Sequence, residues 1–133
     1  MSANLDEFNI QVTRVIARLY ESHPRPLTIE SDMLWDPPLA VGSKDYEEKS
    51  STAGGTLTWL YRNGIVGGDF QEAGIGARIT SAQLTSRGYR IVQKSEGNYG
   101  GSTLGEVAVA FLSDPAAPGF SQAVDFIARR MSE

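Results

Sequence analysis

Between Ser50 and Lys94 the hydrophobic period changes twice, from helical to alternating and back to helical. A run this short has room for only a helix, a two-stranded hairpin and a second helix. The first helix carries Ala53, Leu57, Leu60 and Tyr61 on one face, with Ser51 or Thr52 as the expected N-cap. Trp59 falls off that stripe. Asn63-Gly64-Ile65 reads as a stop, because Gly64 can adopt the left-handed conformation and Ile65 can fold back onto the last turn. Gly54 and Gly55 mark either a ragged helix start or a point where another backbone comes close. Ile65, Val66 and Phe70 then predict a strand, with Gly67-Gly68 as a bulge or kink. Gln71 to Gly76 forms the hairpin tip, and Ala77 and Ile79 alternate with Arg78 and Thr80 on a half-buried return strand. Thr85 is the expected N-cap of the second helix, where Gly88 allows close packing against a neighbour.

The order of these pieces resembles the winged helix-turn-helix superfamily. TLTWLYRNGIV stands where that family has its third helix and the start of its wing. ARITSAQLTSRGYRIV stands where it has the return strand and an LTxxG-type turn into a helix. With the N-terminal helix the resemblance spans about residues 5–94. It implies an α+β, mostly helical fold with a small antiparallel β-wing. Many members of the superfamily bind DNA and some bind only proteins.

Outside this stretch, Leu5, Phe8, Val12, Val15, Ile16 and Leu19 predict a strong amphipathic helix, capped by Asn4 or Asp6 and ended near Ser22 by Pro24 and Pro26. Arg14 and Arg18 read as its solvated face. Leu27-Thr28-Ile29 suits a first strand pairing beside the wing, and Ser31 to Trp35 a single helical turn. Ser43 to Lys49 is either a second helix or a lead-in to the next. Residues 95–102 read as a linker. Thr103 and Glu106 form a capping-box pattern, and Leu104, Val107, Ala108 and Phe111 follow at helical spacing. Phe120, Val124, Ile127 and Met131 line a last helix, so residues 103–133 predict a C-terminal helical hairpin in the same single domain of 133 residues. Its apolar faces need a partner, either the N-terminal helix or a second chain. The expectation is a homodimer through the C-terminal helices, the arrangement that suits a palindromic site.

Composition excludes several function classes. There is no cysteine, which removes disulfides, thiol catalysis and cysteine-bound zinc. No apolar run reaches transmembrane length and the start carries no signal-peptide pattern, so the expectation is a cytoplasmic protein away from membranes. His23, the one histidine, sits between Ser22 and Pro24 without local partners and reads as a turn residue. Glu30, Asp32, Asp36, Glu47 and Glu48 read as solvated acids, and their spacing does not fit a calcium loop. Gly97 to Gly101 lacks the Lys-Ser/Thr pair of a phosphate loop. The expectation is therefore a non-enzyme with no cofactor and no metal.

Two binding readings follow, the first as the expectation and the second as its alternative. In the first, a DNA-binding transcriptional regulator, the resemblance puts Thr56, Thr58 and Arg62 toward the major groove. Arg78, Arg87, Arg90 and Lys94 then contact phosphates, and the last three share one side of the helix after the wing. In the second, a protein-interaction module such as an adaptor, inhibitor or immunity-type protein uses the same fold. The formal net charge of −4 weighs against the first.

Overall fold

A computed structural model describes residues 3–35, 40, 42, 44–73, 76–94, 102–113 and 120–131. The fold is α+β and mostly helical, with one small antiparallel sheet. Helix α1 (Ala3–Ser22) leads into strand β1 (Leu27–Glu30) and a 3-10 turn (Ser31–Leu34). Helix α2 (Tyr46–Arg62) precedes the hairpin β2 (Val66–Ala73) and β3 (Gly76–Leu84). Helices α3 (Ser86–Val92), α4 (Leu104–Ser113) and α5 (Phe120–Met131) complete the chain. The strand order is β1-β3-β2, so β3 sits in the centre of the sheet.

The central strand follows its alternation as far as Thr80: Ala77 and Ile79 are buried, while Arg78 and Thr80 are half-buried. The phase then shifts by one residue at exposed Ser81 (φ +53°), beyond which Ala82 and Leu84 are buried. The bulge expected at Gly67-Gly68 lies on the facing strand instead: Gly67 pairs with Gln83 and Asp69 with Thr80, so the extra residue is in β3, where Ser81 and Ala82 stand opposite Gly68. Gly68 takes φ +133°, and a Cβ there would stand 2.7 Å from the Thr80 carbonyl oxygen. The paired strands run through Ala73 and resume at Gly76, which makes the turn tighter than the expected span of Gln71 to Gly76; residues 74–75 lie outside the described ones.

Helix α2 starts five residues before the predicted cap. Asp45 occupies the N-cap position, and Ser51 and Thr52 lie inside the helix. Tertiary bonds explain the extension: the Tyr46 hydroxyl donates to Asp32 Oδ2 at 3.0 Å, and Trp35 Nε1 donates to the Lys49 carbonyl at 3.1 Å. The polar stretch is thus a lead-in from Tyr46 onward, with no separate helix between the 3-10 turn and α2 among the described residues. The stop is as read. Ile65 N–H donates to the Leu60 carbonyl at 3.0 Å, Gly64 has φ +70°, and the Ile65 side chain is buried.

Helix α1 begins at Ala3, so Asn4 and Asp6 are inside it and not at its cap. It is the spine of the core. Val12, Val15, Ile16 and Leu19 are buried together with Leu57 and Leu60 of α2 and Ile29 and Ile79 of the sheet. Arg18 is exposed, but Arg14 is half-buried and donates to the Leu34 carbonyl at 2.6 Å, so that pair is not uniformly solvated. Trp59 packs edge-on to Phe8 with ring centroids 5.2 Å apart.

The capping box of α4 is formed: Thr103 Oγ1 accepts from Glu106 N–H at 3.1 Å, and Glu106 Oε1 accepts from Thr103 N–H at 2.9 Å. Helices α4 and α5 pack on α1 of the same chain, burying Leu104, Val107, Ala108, Ile127 and Met131 in the common core. A Cβ on Gly105 would stand 2.3 Å from the Tyr20 ring, so α4 approaches α1 closely there. Of the apolar residues invoked for a homodimer, Leu104, Val107 and Ile127 are therefore buried within one chain. The side chains of Phe111, Phe120 and Val124 lie outside the described ones.

Candidate interaction surfaces

Backbone placement splits the predicted site residues between the two ends of the hairpin. Near the tip, Gly54 of α2 packs on the backbone of Gly76, where a Cβ would meet the Gly76 Cα at 3.0 Å. Gly54 is thus the close approach that the sequence left open, while Gly55 faces open space. At the base, the last turn of α2 meets the start of α3, and Arg87 Nη1 donates to the Asn63 carbonyl at 2.8 Å. Strand β3 separates the two ends by eight residue steps (76 to 84), or about 27 Å at roughly 3.4 Å each.

The α2 residues expected at a DNA groove fare differently. Thr56 is 2% exposed and its hydroxyl donates to Gln11 Oε1 at 2.7 Å, so it faces α1 and the groove assignment is corrected. It was misassigned because a threonine among polar neighbours carries no local sign of a buried amide partner. Thr58 is half-buried and donates to the Gly54 carbonyl at 2.8 Å. Arg62 is exposed, in the last turn of α2. The exposed side chains of the first turn are Glu47 and Glu48.

Arg78 lies near the tip and pairs with Glu30 at 3.2 Å, on a rung where β1 and β3 are in register. A polar cavity of about 300 Å³ opens beside it, lined by Glu30, Ser31, Asp32, Tyr46, Ser50 and the first residues of β3. Several of its groups engage one another. Ser31 Oγ donates to the Ala77 carbonyl at 2.9 Å and accepts from Ala77 N–H at 2.6 Å, joining the 3-10 turn to β3. The hydrogen bond to Asp32, with burial and the Asp32 charge behind it, holds the Tyr46 phenol above its ordinary value. This network is a clasp between β1, β3 and α2.

At the base, Arg87, Arg90 and Lys94 line one cleft of about 290 Å³, as their spacing predicts. Among the described residues, Ile91 and Arg130 also line it. Arg130 comes from α5 and was not anticipated, since only tertiary packing brings the C-terminal helix beside α3. Thr85 caps α3 as expected, its Oγ1 accepting from Gly88 N–H at 3.0 Å. A Cβ on Gly88 would stand 2.3 Å from the Ile65 carbonyl oxygen, so α3 is seated hard against the start of β2. The far end of α3 is fixed too, because Leu104 N–H donates to the Lys94 carbonyl at 3.0 Å.

His23 is exposed, and its ring stacks on Tyr89 of α3 with centroids 4.2 Å apart. Among the described residues no group of three or more His, Asp or Glu side chains could hold a metal ion. No described helix is long and apolar enough to cross a membrane. No family model, curated protein or solved structure matches the chain.

Proposed function

We propose that the chain is a non-catalytic binding protein on a winged-helix frame, and that it engages a protein partner in preference to reading duplex DNA. The order of strands and the helix placed directly before the hairpin support the frame. The distribution of charge along that frame carries the choice of partner. A helix-turn-helix protein reads bases with the N-terminal part of its recognition helix. In this chain that part of α2 presents Glu47 and Glu48, which repel phosphates, while the hairpin places Arg87, Arg90 and Lys94 at its far end.

Fluorescence anisotropy with random-sequence duplex DNA at about 50 mM salt tests this reading. The expected result is no saturable binding across about 10⁻⁶ to 10⁻⁴ M, the range in which non-specific DNA binders saturate. Tight binding that falls steeply with salt would overturn it.

A second reading, a DNA-binding transcriptional regulator, draws support from the same cations gathered on one cleft. It predicts that Arg87→Glu with Arg90→Glu weakens binding to all DNA sequences alike, since phosphate contacts carry no sequence information.

A further inference from the structure

The cleft at the hairpin base has a composition that the proposed frame does not require. Its described lining takes Arg87 and Arg90 from α3, Lys94 from just past the end of that helix and Arg130 from α5, in a chain whose formal net charge is −4. Positive charge concentrated on one concavity of an acidic protein attracts an anionic partner and steers its approach. The lining is also held in place. Arg87 is oriented by the Asn63 carbonyl, Arg90 Nε donates to the Ser86 carbonyl at 3.4 Å, and both ends of α3 are fixed to neighbouring elements.

Two further features narrow the chemistry. Half-buried Ile91 lies among the cations, so the lining of the cleft is part apolar and part charged. The volume of about 290 Å³ is at the small end for a binding pocket, enough for a few side chains and too small for a run of phosphates. A duplex backbone offers regularly spaced phosphates and no apolar group at their level. An acidic peptide offers carboxylates for the Arg forks and an aliphatic side chain for Ile91.

We propose that the cleft between α3 and α5 receives an acidic segment of a partner protein, with Asp or Glu carboxylates on Arg87, Arg90, Lys94 and Arg130 and an apolar side chain against Ile91. This rests on the reading that the chain binds a protein, and it names the surface and the class of segment.

Titration of the full chain by amide-resolved NMR tests it. The probes are a short synthetic peptide of Glu and Asp with one Leu, the same peptide without the Leu, and a random-sequence DNA duplex. Expected shifts gather on the amides of α3 and the last turn of α5, and the Leu-bearing peptide binds more tightly. Arg90→Glu should lower that affinity about tenfold, as expected for loss of a charge-assisted contact. Arg18→Glu makes the same charge change at an exposed position on α1 and should alter it less than about twofold. Shifts elsewhere, or equal effects of the two variants, would overturn the proposal. Binding of none of the three probes also overturns it, while leaving a protein partner at another face in place. Saturation of the same amides by DNA alone would overturn both this inference and the reading beneath it.

Discussion

At the scale of single residues, the adjacent glycines of α2 make a matched experiment. Both sit in helical backbone, where replacing Gly by Ala ordinarily stabilises by about 0.5–1 kcal/mol. Gly55 faces open space, so Gly55→Ala should show that gain as a higher urea midpoint. Gly54 lies against the backbone of Gly76, which has no flexible end to move aside, so Gly54→Ala should instead lose roughly 1–3 kcal/mol from overpacking. Equal midpoints for the two variants would refute the close approach of α2 to β3. Glu106 gives a second test through pH. The Thr103 backbone N–H, and next its hydroxyl, hold the Glu106 carboxyl below its ordinary value of 4.5. A folded-state value lowered in this way adds stability above the unfolded value and loses it as pH falls through the folded one. Wild type should therefore lose more stability than Glu106→Gln between neutral pH and pH values below 4.5, measured as the shift in thermal midpoint.

Among the elements, those with their own punctuation were legible in the sequence. The stop at Gly64, the Thr85 cap and the Thr103–Glu106 box each rest on contacts within a few residues or between adjacent segments, and each is found where its local chemistry puts it. The start of α2 was not legible, because Tyr46 and Lys49 are drawn into helix by Asp32 and Trp35, more than ten residues away in the chain. The C-terminal pair was legible as helices but not as to what it covers. Periodicity reports that Leu104 and Ile127 need burial and is silent on whether the cover comes from the same chain. Since α1 supplies it, a chain ending at Gly97 should fail to fold stably. Leu104, Val107, Ile127 and Met131 each contribute about 1.5–3 kcal/mol by burial, and their sum is comparable to the net stability of a typical domain. Far-ultraviolet circular dichroism on heating measures this. A truncated chain that melts at the full-length temperature would show that α4 and α5 do not cap the core.

For the whole molecule, burial of those faces in cis predicts that the full chain sediments as a monomer at high micromolar concentration. A stable dimer would have to leave Leu104, Val107 and Ile127 in the core of each chain. The site was half legible for a related reason. Spacing alone puts Arg87, Arg90 and Lys94 on one side of α3, whereas Arg130 reaches their cleft only through the path of the entire fold. That path also sets an order of events during synthesis. Helix α1 leaves the ribosome early, carrying Val12, Val15, Ile16 and Leu19, yet much of what covers it is translated only with α4 and α5. At about 5–20 residues per second, this apolar stripe waits roughly 5–20 s for its cover. During that interval the nascent chain presents the kind of surface that chaperones recognise, and the cationic cleft takes form only when the wait is over.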